Sequence, residues 1–82
     1  MLKPVSIKID EIYVPAGLRK ELDETKVEQT AEDMMGGEET AAIQVRQGKG
    51  RWVLIKGLHR MEAARALGDE TIEAMVVAAR KH

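Results

Sequence analysis

The chain has 82 residues, a net charge of −1, no cysteine, and only Tyr13 and Trp52 as aromatic residues. That length fits one small domain, residues 1–82, which buries roughly 60–65% of the surface of its unfolded chain. With 44% hydrophobic and 33% charged residues the composition is globular. The missing cysteines exclude disulfides, thiol nucleophiles and thiolate zinc sites, and two aromatics argue against a base-stacking platform.

Within the first ten residues Lys3, Lys8 and Asp10 are charged and Val5, Ile7 and Ile9 are β-branched, so neither a signal peptide nor a membrane span is expected and the default location is cytoplasmic. Val5, Ile7 and Ile9 alternate with polar neighbours, the pattern of a half-buried strand. Residues 10–12 read as the strand's end. Val14-Pro15-Ala16-Gly17 reads as a turn and loop that carries Arg19 and Lys20. A helix then starts with Asp23 or Thr25 as N-cap, the second with capping-box spacing to Glu28. Val27, Ala31, Met34 and Met35 recur at helical intervals as core filling, and Gly36-Gly37 stops the helix.

Glu38, Glu39 and Thr40 lead to a second strand, Ala42 to Arg46. Residues 47–50 form a turn and Arg51 to Lys56 a third strand, so that the two make a hairpin with Trp52 as half-buried packing. A second helix runs from about Leu58 to Leu67, with Met61, Ala64 and Leu67 on one stripe and Gly68 as its C′ residue. The last strand covers Ile72 to about Val77, before a basic tail. The order strand, helix, hairpin, helix, strand predicts an α+β domain with a small mixed sheet and two main helices.

Charge is unevenly spread. Between Asp10 and Glu39 ten acidic residues face three basic ones, whereas between Arg46 and Arg65 six basic residues stand against Glu62. A basic second half suggests an anionic partner.

The segment from Ile55 to Arg65 carries the chemistry. A strand enters Gly57 and a helix starts directly after it, presenting unpaired N–H groups and the positive end of the helix dipole, which together suit a phosphate. Gly57 has no side chain to block the approach. Arg60 in the first turn offers a bidentate grip and His59 a donor, while Lys56 is within reach of the same anion. Cations at a helix N-terminus oppose the dipole, and that local conflict points to function.

Gly57-Leu58-His59-Arg60, followed by Ala63-Ala64 and Leu67-Gly68, resembles the ParB/sulfiredoxin superfamily, specifically the ParB N-terminal-like domain. Its members read glycine, a variable residue, His or Arg, then Arg, and an alanine-rich helix ending in Leu-Gly. The resemblance spans Val5 to Val77 and implies a nucleotide pocket: CTP in partition proteins, ATP or ADP in sulfiredoxins and related kinases. Gly57, Leu58, His59 and Arg60 match the phosphate loop, Arg19 matches an arginine before the first helix, and Glu32 falls on an often acidic helix position that makes it a candidate base.

The expected function is therefore nucleotide-phosphate binding with Mg²⁺, as a weak NTPase or CTPase switch linked to DNA partition or plasmid functions. A homo-oligomer is compatible with it. Leu58 stands where sulfiredoxins need cysteine, so sulfinic-acid reduction is excluded. Glu38-Glu39-Thr40 replaces a Gly/Pro-containing loop of the family. No helix-turn-helix follows Val77, and no side-chain metal cluster is expected. Two alternatives stand beside this reading: a DNA-backbone-binding or nuclease module using residues 46–65, and a degenerate protein-interaction domain.

Overall fold

The computed structural model describes residues 3–37 and 41–77. The expected loop of Glu38, Glu39 and Thr40 and the basic tail lie outside those residues. Five strands, β1 (Val5–Lys8), β2 (Ile12–Tyr13), β3 (Ile43–Gln47), β4 (Trp52–Lys56) and β5 (Thr71–Val76), form one mixed sheet in the order β1-β5-β3-β4-β2. β1 and β4 run antiparallel to β5 and β3, while β3 pairs parallel with β5 and β2 parallel with β4. Three α-helices accompany them, α1 (Ala16–Arg19), α2 (Glu24–Met35) and α3 (Leu58–Ala66), and a 3-10 turn over Ile9–Glu11 takes the place of the expected strand end.

The core lies between one sheet face and α3. Ile43 and Val45 of β3, Leu54 of β4 and Ile72 and Ala74 of β5 pack with Leu58, Met61 and Ala64 of α3. Burying each large side chain contributes about 1.5–3 kcal/mol relative to leaving it exposed. Alternation places Ile43 and Val45 inward and Gln44 and Arg46 outward, as period 2 demands. Trp52 is half-buried and packs against this core.

Local signals explain the element ends. Asp23, not Thr25, caps α2, its carboxylate accepting from the Thr25 N–H at 2.9 Å. Gly68, at φ 87°, closes α3 with a Schellman pair of bonds, Gly68 N–H to Arg65 O and Asp69 N–H to Ala64 O, both 3.0 Å. The hairpin turn is held by the Gly48 N–H donating to Arg51 O at 2.9 Å. Beyond the turn the register slips between Gln44 and Val45, which face Lys56 and Leu54, leaving Ile55 as the bulged residue.

Four further expectations need correction. Ile12–Tyr13 is a strand in its own right, paired with Trp52 and Val53. The segment carrying Arg19 is a helical turn whose Leu18 and Arg19 N–H groups both donate to Pro15 O, Pro15 supplying the helix-ready φ. Leu67 is 38% exposed, because two steps of three residues carry it about 120° round the helix from Met61. Met35 is 74% exposed; α2 packs on α3 along one side only, and Met34 occupies that side.

Candidate functional site

The site grows out of the junction between β4 and α3. The bulge at Ile55 ends regular pairing, and Gly57 follows at φ 106°, ψ 31°, a left-handed conformation open to glycine at little cost. The turn is pressed onto β3, since a Cβ on Gly57 would fall 2.6 Å from Ile43 Cγ2 and 3.1 Å from Ile43 Cα. A side chain on Gly57 would thus enter the core beside Ile43, so glycine is needed here for seating the turn on β3, and the expectation that it clears a ligand's approach is corrected.

Gly57 offers no side-chain cap to α3, and the first bond within the helix is Met61 N–H to Gly57 O at 2.9 Å. The N–H groups of Leu58, His59 and Arg60 have no hydrogen-bond partner among the described residues. These are the donors that a helix N-terminus leaves for an anion. Leu58 belongs to the core by its side chain, so its contribution to a ligand is its amide alone.

His59 and Arg60 both reach to α2. The Asp23 N–H donates to His59 Nε2 at 3.0 Å. With Nε2 taken up as the acceptor, Nδ1 is the ring nitrogen left to donate. Arg60 Nη1 donates to Met34 Sδ at 3.4 Å, and Arg60 Nε is buried with no partner among the described residues. A buried donor left unpaired is costly, so this guanidinium is one good acceptor short.

A cleft of about 280 Å³ opens here, lined by Leu18, Glu21, Ile55 and residues 56–60. Lys56, Gly57, Leu58, His59 and Arg60 are thus brought together. Arg19 is not in this cleft. It lines an adjoining one of about 490 Å³ with Tyr13, Glu62 and Arg65, and Leu58 separates the two. Glu32 is exposed on α2 and lines neither. Glu21, Asp23 and Met34 are contributors that sequence reasoning did not single out for the site. The cap signal marked Asp23, but nothing local reveals bonds made across 26 and 36 residues.

Three basic side chains of the stretch from Arg46 to Arg65 have partners within the domain. Arg51 stacks over the Tyr13 ring at 4.1 Å, Arg60 turns to Met34, and Arg65 lies 3.8 Å from Glu62. Among the described residues no three His, Cys, Asp or Glu side chains group to hold a metal ion, and no helix is long and apolar enough to cross a membrane.

Residues 3–82 match the ParB N-terminal domain family. No curated protein sequence matches the chain. Among solved structures, sulfiredoxin from Arabidopsis thaliana superposes with a TM-score of 0.80 at 23% identity over 94% of this chain and 86% of that one. The C-terminally truncated chromosome-partitioning protein ParB from Caulobacter crescentus, complexed with CTP-γ-S, gives 0.79 at 20% identity over 96% of this chain and 46% of that one. A free serine kinase in complex with AMP gives 0.77 at 16% identity over 93% of this chain and 31% of that one. The chain thus spans less than half the length of the partition protein and of the kinase, and these likenesses show a shared α+β fold.

Proposed function

The chain belongs to the ParB N-terminal domain family, and from that premise we propose that the cleft at Gly57–Arg60 binds the phosphate groups of a nucleotide. The observation that carries this reading is the set of unpaired donors on three consecutive residues: the backbone N–H groups of Leu58, His59 and Arg60, and the buried Arg60 Nε. A phosphate's oxygens match such a set, and the left-handed Gly57 lets β4 turn directly into the start of α3. The nucleotides in the partition-protein and kinase structures lend the same reading support.

The residues present fit the group. The amides of residues 58–60 would hold phosphate oxygens, Arg60 would add a charged donor, His59 its Nδ1–H, and Lys56, exposed at the strand end, a mobile cation. Magnesium entering with the phosphates would supply charge neutralisation between them. Glu21 is the carboxylate in the lining of this cleft, whereas Glu32 stands away from it and takes no part in this reading.

Donors fixed in place before the ligand arrives stabilise charge without reorganisation. The reading assigns the domain a nucleotide-dependent switch with slow hydrolysis, by positioning and electrostatics and not through a covalent nucleophile. Service in DNA partition or plasmid maintenance belongs to the same proposal.

Calorimetric titration with CTP, ATP and ADP in the presence of Mg²⁺, on wild type and Arg60→Ala, tests it. Binding by wild type that Arg60→Ala abolishes supports the site, and the preferred base separates the CTP from the adenine-nucleotide branch. Binding of a DNA duplex alone, with steep salt dependence, would instead favour the basic hairpin. No binding of either would leave a protein-interaction domain.

A further inference from the structure

We propose that the phosphate site and α2 are energetically coupled, so that an anion bound at the start of α3 orders α2. The inference rests on the nucleotide reading above and names the regulation of that site. α2 is a marginal helix. None of its 12 residues is buried, and a helix of that length is unstable alone. Glu24, Glu28 and Glu32, all exposed, follow one another at i, i+4 spacing, where like charges oppose helix formation. α2 therefore depends on its packing against α3.

Among the described residues, the two polar links between α3 and the α2 segment are made by the two side chains assigned to the phosphate. His59 Nε2 takes the N–H of Asp23, the residue that caps α2 at its start, and Arg60 Nη1 donates to Met34 near its end. Each of these residues uses one polar atom on α2 and keeps another for a ligand. His59 retains Nδ1–H, and Arg60 retains the unpartnered Nε. Both line the cleft.

The remaining atoms are not the ones bonded to α2, and the buried Arg60 Nε meets an anion once its side chain opens toward the cleft. A phosphate accepting from His59 Nδ1–H polarises the ring and strengthens Nε2 as an acceptor for Asp23. A phosphate accepting from Arg60 Nε fixes a flexible side chain in the conformation that meets Met34. Binding tightens both links, one at each end of α2, and linkage requires that a firmly held α2 raise affinity for the anion by the same factor.

The test is amide hydrogen exchange on wild type with and without CTP, ATP or ADP plus Mg²⁺, alongside calorimetry on wild type, Asp23→Ala and Met34→Leu. Asp23→Ala removes the cap while keeping the N–H that meets His59. Met34→Leu removes the sulfur acceptor at nearly constant volume, and neither residue lines the cleft. Expected are slower exchange across residues 24–35 on binding and a loss of affinity of about fivefold in each variant, at the lower end of allosteric couplings. Calorimetric binding with unchanged or faster exchange in α2 would overturn the coupling while leaving the phosphate site standing. Wild-type affinity in both variants would do the same. Absence of nucleotide binding to wild type would remove the phosphate reading and the coupling together.

Discussion

Gly57 and Ile43 meet more closely than any side chain on Gly57 allows, with 2.6 Å between a Cβ built on the glycine and Ile43 Cγ2. Ile43 is 1% exposed and faces α3 from the sheet. The junction that presents the free amides is therefore the point where α3 is seated on β3. One glycine serves the fold and the candidate site together.

Gly57→Ala is expected to destabilise the domain by about 2–4 kcal/mol, combining a left-handed non-glycine residue with overpacking against the core. Urea denaturation measures it. Adding Ile43→Val, which shortens the side chain but keeps its backbone and branch point beside the new methyl group, should recover only a fraction of the loss.

Gly68→Ala separates the two causes. Gly68 also has a positive φ, 87°, but nothing lies within 4 Å of a Cβ built there. The expected cost is about 1–2 kcal/mol, from backbone conformation alone. A loss as large as that of Gly57→Ala would mean that crowding against Ile43 contributes nothing.

Arg60→Met should weaken nucleotide binding at least tenfold, which is about 1.4 kcal/mol, while the unfolding free energy stays within about 1 kcal/mol of wild type. The guanidinium has a buried Nε without a partner among the described residues, and removing an unsatisfied donor relieves a cost. Calorimetry and thermal unfolding on the same preparation check both halves.

Arg19→Ala is expected to reduce nucleotide affinity by a smaller factor than Arg60→Ala. Arg19 is exposed at the end of α1 and lines the adjoining cleft across Leu58, away from the α3 amides. Equal losses in the two variants, read by calorimetry, would mean that the ligand extends over Leu58 into that cleft.

Met61→Ala should cost about 2–5 kcal/mol, as for other fully buried large side chains; Met61 is 0% exposed on α3 behind the candidate site. Denaturant midpoints measure it.

The parts legible in the sequence are those whose signals are local. Alternation marked β1, the turn at residues 47–50 marked the hairpin of β3 and β4, the glycine-bracketed run from Leu58 marked α3, and Gly68 marked its end, because periodicity and backbone permissiveness act within a few residues. The two residues of β2 and the single turn of α1 are too short to show a period. Their conformation is set by pairing with β4 and by Pro15. The phosphate loop was readable as a string, but its surroundings were not. His59 looked like a free donor, yet its Nε2 accepts from Asp23, 36 residues away. Met34 packs against the core as expected, but its sulfur also accepts from Arg60, 26 residues away. Such pairings are created by the packing of α2 on α3, which no window of sequence contains.

The pairing of β1 with β5 bears on how the molecule is made. Among the described strands β1 neighbours only β5, Val5 opposite Ala74 and Lys8 opposite Thr71. During synthesis β1 must therefore wait for β5, while β3, β4 and α3 already have each other. Ile7, buried in the finished domain and opposite Ile72 there, spends that interval without a sheet partner. Assembly then ends as a zipper closed from both ends of the sheet-forming chain, and residues 71–76 decide when the newborn domain stops offering an open strand to its neighbours.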